Sequence, residues 1–229
     1  MNGEMLMKTL WRILIYILGL FCLAFSVTLA VSSNLGVIAG NTFPFLISQV
    51  TNISLGTCCT AVFFVYVLLQ IVILRKDFKP FNLLQLVFSV LFGYFVRLTT
   101  LIIGGWVATS YLVQLLQLAL SILLTGIGVV LYIQVDLLPM PPDCFLQAII
   151  FKRPGNTLGK LRIIHDCVVV LISAVISYAA FSTILGIREG TLISAVFSGL
   201  AIDFFSKILA APIRRVCFDE PAVSSRTPS

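Results

Sequence analysis

TGIGVVLYIQVDLLPMPPDCFLQAII, residues 125–150, decides the fold. An apolar helical run enters a polar, proline-rich break, and a short apolar segment follows. The same plan occurs 102 residues earlier without a gap, in LAFSVTLAVSSNLGVIAGNTFPFLIS, residues 23–48. Asn34 aligns with Asp136 and Asn41 with Asp143. Leu29, Leu35 and Phe43 align with Leu131, Leu137 and Phe145. The chain therefore reads as one module used twice, and the two breaks are where its chemistry is expected.

The rest of the composition agrees with a lipid setting. Of 229 residues, 59% are hydrophobic and only 10% charged, and the mean hydropathy is +1.10. Soluble domains carry about 25% charged residues. A deficit spread along the whole chain implies an integral membrane protein with one domain, residues 1–217, followed by a polar tail, 218–229, expected to be disordered.

A spanning helix needs about 20 mainly apolar residues. Six segments qualify: residues 10–32, 57–74, 81–104, 111–135, 161–183 and 191–211. The first is too long for the core of a signal peptide, which runs about 7–15 residues, so it is expected to be retained. Repeat one covers about 10–104 and repeat two about 111–211. Leu55-Gly56 aligns with Leu158-Gly159, Leu86 with Leu192, and Gly93 with Gly199.

Lysine and arginine fall at every second boundary: Lys8 and Arg12, then Arg75, Lys76 and Lys79, then Lys152, Arg153, Lys160 and Arg162, then Lys207, Arg214 and Arg215. The other boundaries are nearly bare. The positive-inside rule then puts both termini in the cytoplasm of a multi-pass cell-membrane protein. Three helices per repeat is an odd number, so the second copy enters from the opposite side. The expected fold is all-α, with two inverted-topology three-helix repeats, each carrying a short broken or re-entrant helix after its first span. The net charge of +6 is absorbed by orientation and lipid headgroups. No nucleic-acid partner is expected, because no basic stripe is interleaved with aromatics.

The short helices are expected at 42–50, capped by Asn41, and 144–151, capped by Asp143. Read as re-entrant half-helices, they bring two positive dipole ends together near the midplane, suiting a small polar or anionic solute. Read as interfacial helices, they lie flat on the membrane; the residues leave both readings open. Asn41 and Asp143 are the first candidates for solute contact, with Asn34 and Asp136 lining the approach.

Further candidates serve coupling or gating. Arg97 sits in the third span and Asp203 at the offset-matched site of the sixth, and a pair between them is expected. Arg162, His165 and Asp166 share one helix face by i, i+3, i+4 spacing, as a proton relay or as a polar interfacial cluster. Glu189 and Thr191 open the last helix, and a plain cap is their simplest role. The six cysteines form no C-x-x-C pair and no zinc pattern. No Walker loop, G-x-S-x-G or H-E-x-x-H occurs, so neither enzyme activity nor a cofactor is expected.

Residues 137–143 with their Pro141-Pro142-Asp143 ending, Gly159-Lys160 leading to Asp166, and Arg188-Glu189-Gly190-Thr191 followed by Ile193-Ser194-Ala195 carry a resemblance. On these residues the chain resembles the YczE/YyaS/YitT-like bacterial membrane proteins, closest to the YczE branch, over about residues 10–210. The resemblance implies six membrane helices and no soluble domain, and brings no substrate. The chain departs from it at Ala39-Gly40-Asn41, where a proline is typical, and at Arg97, where an acidic residue is. The expectation is a small secondary transporter. The other readings are a channel, which lacks the continuous polar stripe it would need, and a receptor or scaffold, which lacks a large polar loop. Homodimerisation stays open.

Overall fold

A backbone in hydrocarbon has to satisfy its own N–H and C=O groups, and a continuous apolar run does so as a helix. The computed structural model describes residues 2–103, 105–106, 109–153 and 158–218, and no strand occurs among them. Eight α-helices follow one another: α1 (Asn2–Ser32), α2 (Thr42–Thr51), α3 (Leu55–Leu74), α4 (Leu84–Ile103), α5 (Tyr111–Gln134), α6 (Pro141–Lys152), α7 (Leu158–Phe181) and α8 (Glu189–Phe218). Six of them, all but α2 and α6, are long and apolar enough to cross a membrane. Their bounds fall within three residues of those expected, except that α1 begins at Asn2 instead of residue 10 and α8 runs on through Pro212 to Phe218. The expected tail beyond Phe218 lies outside the described residues.

Both predicted breaks are present, and they are built alike. Asn34 and Asp136 take left-handed backbone angles, φ 56° and 51°. Asparagine and aspartate tolerate that region best among residues other than glycine. The Asn34 N–H bonds the Val31 carbonyl and the Asp136 N–H bonds the Ile133 carbonyl, each at 3.2 Å. Both acceptor and donor differ by the same 102 residues.

The carbonyls left at these helix ends are answered from far along the chain. Arg12 donates from Nε to the Val135 carbonyl and from Nη2 to the Asp136 carbonyl, both at 2.9 Å. Arg188 donates from Nη1 to the Asn34 carbonyl at 2.7 Å.

The two interrupted helices, α1 and α5, pack on each other more extensively than any other pair. Small residues let their backbones approach. A Cβ on Gly19 would lie 2.9 Å from the Gly128 carbonyl oxygen, and one on Gly128 would lie 2.9 Å from the Gly19 oxygen. Further along, the Ser26 hydroxyl donates to the Ser121 carbonyl at 2.8 Å and the Ser121 hydroxyl to the Ser26 carbonyl at 2.9 Å. Under the 102-residue offset the Gly19–Gly128 contact becomes the Ser121–Ser26 contact. The main core, from Tyr16 and Leu20 to Phe92 and Val129, fills the space between α1, α3, α4 and α5. Each short helix also reaches the other half: α2 packs on α7 as much as on its neighbour α3, and α6 packs on α3 more than on its neighbour α7.

The outer helix pairs differ. α3 and α4 are pressed together: a Cβ on Gly56 would overlap the Gly93 carbonyl oxygen. Buried Gln70 and Gln85 exchange amide hydrogen bonds at 3.2 and 3.0 Å near their far end. Their aligned counterparts, α7 and α8, barely touch. Gly199, aligned with Gly93, has open space where a Cβ would go. Only 11% of the most apolar stretch of α7 and 6% of that of α8 are buried, against 56% for α5.

Substitution of the glycines separates the two crossings. Gly56→Ala and Gly93→Ala each force α3 from α4 and are expected to cost about 1–3 kcal/mol. Gly199→Ala meets nothing and gains about 0.5–1 kcal/mol of helix propensity. Melting curves of the purified variants in detergent check this; equal melting temperatures for all three would contradict the packing.

Candidate functional site

The N-terminal ends of both short helices face one cavity of about 100 Å³ at the centre of the bundle. Ile38, Gly40 and Asn41 line it from the first break, and Met140, Pro142 and Asp143 from the second. α7 adds Arg162, His165 and Asp166. The remaining wall is mostly apolar, with Leu23 and Val27 of α1, Phe63 of α3, Phe92 of α4, Val129 of α5 and Leu146 of α6.

The polar side chains form two hydrogen-bonded sets. In the first, Asp143 is buried, with 7% of its side chain exposed; it accepts from Arg162 Nη1 at 2.9 Å and from the Tyr132 hydroxyl. A carboxylate buried this far is costly unless paired and hydrogen-bonded, and here it is both. In the second, His165 Nδ1 lies 3.0 Å from Asp166 Oδ1, and His165 Nε2 lies 2.5 Å from the Tyr66 hydroxyl. The imidazole is thus held at both nitrogens between α3 and its own helix. The Phe145 and Tyr66 rings flank it, with centroids 6.4 and 5.5 Å from its own.

The local sequence explains the placement. Arg162, His165 and Asp166 fall on one face of α7 through their spacing. Pro141 and Pro142 occupy the first two positions of α6, where a missing N–H costs nothing, and Asp143 follows in the first turn. Met140, not Asp143, is therefore the N-cap of α6, and the Asp143 carboxylate turns to Tyr132 and Arg162 instead of its own helix. Asn41 does sit at the N-cap of α2 and lines the cavity, but its side chain makes no capping bond. Next to the Asp143 carboxylate, burial pushes the Cys144 thiol up to about 12, so it stays protonated and inert at neutral pH.

Of the expected site residues, Asn41, Asp143, His165 and Asp166 come together at the cavity. Six others do not line it. Asn34 and Asp136 are exposed and serve through their backbones at the helix ends. Arg97 and Asp203 are both exposed and form no ion pair, because α8 packs against α5 and not against α4. Glu189 is exposed in the first turn of α8. Thr191 is buried and donates to the Gly186 carbonyl at 3.1 Å, closing the loop that receives the first break.

Sequence reasoning missed Tyr66 and Tyr132. Tyr132 stands near the end of α5 and passes for an interfacial aromatic. Tyr66 carried a usable signal: a mid-helix tyrosine in an apolar span needs a partner for its hydroxyl.

The chain belongs to the family of unknown function DUF6198, whose sequence model matches residues 10–207, from α1 into α8. No curated protein and no solved structure matches it. The family brings no activity, so the chemistry has to be argued from the cavity.

A double-mutant cycle tests the Asp143–Arg162 pair. Arg162→Gln leaves the buried Asp143 carboxylate without its cation and is expected to lower stability by about 1–3 kcal/mol, while Asp143→Asn leaves the part-exposed Arg162 without its anion and is expected to cost less. The double variant is expected to lose less than the sum, with a coupling of at least about 0.5 kcal/mol. Strict additivity in thermal or denaturant unfolding would show that the two groups do not depend on each other.

Proposed function

We propose that this protein is a small secondary transporter, moving a small polar solute through the central cavity by alternating access between two inverted repeats. The observation that carries the reading is the convergence of both short-helix N-termini and the charged side chains of α7 on one cavity. Asn41 and Asp143 are the solute contacts; Arg162, His165 and Asp166 complete the polar wall. The YczE-branch resemblance and cytoplasmic termini belong to the same proposal, and rest on the quoted motifs and the alternation of basic boundaries.

The features related by one offset support a two-fold relation between the repeats. They are the left-handed Asn34 and Asp136, the exchange of Gly19–Gly128 with Ser121–Ser26, and the crossed packing of α2 on α7 and α6 on α3. The difference between the outer pairs supplies the motion. α3–α4 is closed at Gly56 and Gly93, while α7–α8 is open at Gly199. If the repeats exchange arrangements, α7–α8 closes and α3–α4 opens, and the cavity changes the side it faces.

A thermal-shift screen against metabolite classes finds the solute, because a ligand of the folded state raises its apparent stability. In liposomes, Asn41→Ala and Asp143→Ala are each expected to cut uptake by at least about tenfold, the scale of one lost buried hydrogen bond. Gly199→Leu is expected to fold and to bind solute normally, yet to stop turnover, because the added side chain blocks closure of α7 on α8. Full uptake in the Asn41→Ala/Asp143→Ala double variant would remove the site, and normal turnover in Gly199→Leu would remove the motion.

A further inference from the structure

The charges around the cavity speak to the sign of its ligand. A free helix N-terminus attracts anions through its exposed N–H groups and dipole. Neither short helix offers such an end. Pro141 and Pro142 have no N–H, and Asp143 places a carboxylate in the same turn of α6. At α2, Asp166 Oδ1 stands 3.6 Å from where a Cβ on Gly40 would sit, beside the turn that opens the helix. Each helix start has a carboxylate near it, Asp143 in the first turn of α6 and Asp166 beside the turn before α2, and this works against an anionic solute.

Among the described residues lining the cavity, the ionisable side chains besides Tyr132 are Asp143, Arg162, His165 and Asp166. Arg162 is committed to Asp143. With His165 neutral, the set carries one net negative charge, centred on Asp166. The elements around the His165–Asp166 pair add no further charge: α3 presents the Tyr66 hydroxyl, α5 Tyr132, α8 Ser198, and α2 has no charged residue. Only 10% of the His165 and 18% of the Asp166 side chain is exposed, and a net charge with so little access to water carries a desolvation cost. Either a proton on the histidine–aspartate pair or a monovalent cation in the cavity neutralises it. Both together would leave the site positive, at the same kind of cost.

The wall favours an organic cation. Phe63 and Phe92, stacked on each other at 5.5 Å, line the same cavity, and a ring face left open to it attracts a cation. No cluster of three or more His, Cys, Asp or Glu side chains able to hold a metal occurs among the described residues. A water needs about 10–15 Å³ of such space, so the cavity of about 100 Å³ accepts solutes of up to roughly ten non-hydrogen atoms.

We propose that the cavity binds a small organic monocation and a proton in mutual exclusion, with Asp166 as the anionic pole and the His165–Asp166 pair as the proton carrier. One cation enters as one proton leaves the imidazolium for water, so charge balances. Combined with alternating access this is proton–cation antiport. The antiport rests on the transporter reading above; the competition at the site does not.

The test uses the full-length protein in weakly buffered detergent, with tetramethylammonium and guanidinium as cation probes and acetate and phosphate as anion probes. Calorimetry reads binding and a pH dye reads protons. The expected result is cation binding with release of about one proton per site, and an affinity that falls about tenfold per unit drop in pH while the pair is protonated. Acetate and phosphate are expected not to bind. His165→Gln is expected to bind the cations without proton release and with a flat pH profile, and Asp166→Asn to lose affinity at least tenfold. Melting curves check that both variants fold, and the wild-type proton count stands without them. Cation binding with no proton release and no fall in affinity at any pH at which the protein stays folded, anion binding, or no binding of either cation would overturn the proposal. In liposomes with an acidic lumen, labelled tetramethylammonium should accumulate. Binding with proton release but no accumulation would leave the site standing and sink the transporter reading.

Discussion

Two helices stop in the middle of an apolar chain, and the backbone groups they expose have to be answered. Asn34 and Asp136 are exposed at these ends, and side chains from the other half of the chain share the task with solvent. The answer is long-range: Arg12 reaches the end of α5 and Arg188 the end of α1. A left-handed residue, Asn34 or Asp136, turns the chain at each end. These bonds tie the first helix to the second half of the chain and the last loop to the first half. The short helices that follow are thereby aimed at a common centre.

The α1–α5 crossing gives that centre a rigid axis. Glycines at one contact and serine hydroxyls at the other bring the two backbones close. Around this axis the halves are alike in plan and unlike in state. α3 and α4 are locked by Gly56, Gly93 and a pair of reciprocal glutamine amides, while α7 and α8 stand apart. Helix pairs that align in the sequence thus differ in packing, close at Gly56 and Gly93 and open at Gly199.

Charge economy links the cavity to the same frame. α7, held loosely against α8, carries the arginine that neutralises Asp143 and the histidine–aspartate pair. α3, held tightly against α4, contributes the Tyr66 hydroxyl that engages the histidine. The polar network therefore spans the locked half and the loose half, so a change in its protonation or occupancy is felt by the part of the fold with room to move.

Much of the architecture was legible in the residues. Apolar runs of about 20 residues can only be helices in lipid, so the six long helices follow from length and composition. The ungapped match around Asn34 and Asp136 located both breaks, because a left-handed helix end leaves a local signature. The i, i+3, i+4 spacing put Arg162, His165 and Asp166 on one face. The sequence could not say which faces meet, because in an apolar bundle nearly every side chain is equally at home against lipid or protein. That ambiguity produced the Arg97–Asp203 pairing, plausible by offset and absent because α8 lies on α5. It also hid Tyr66 and Tyr132, whose roles depend on partners 99 and 11 residues away. Asp143 looked like a cap for its own helix, and only the approach of α5 and α7 gave its carboxylate better partners. Local backbone chemistry was written along the chain; the charge balance of the cavity was decided by packing between segments that no short stretch of sequence relates.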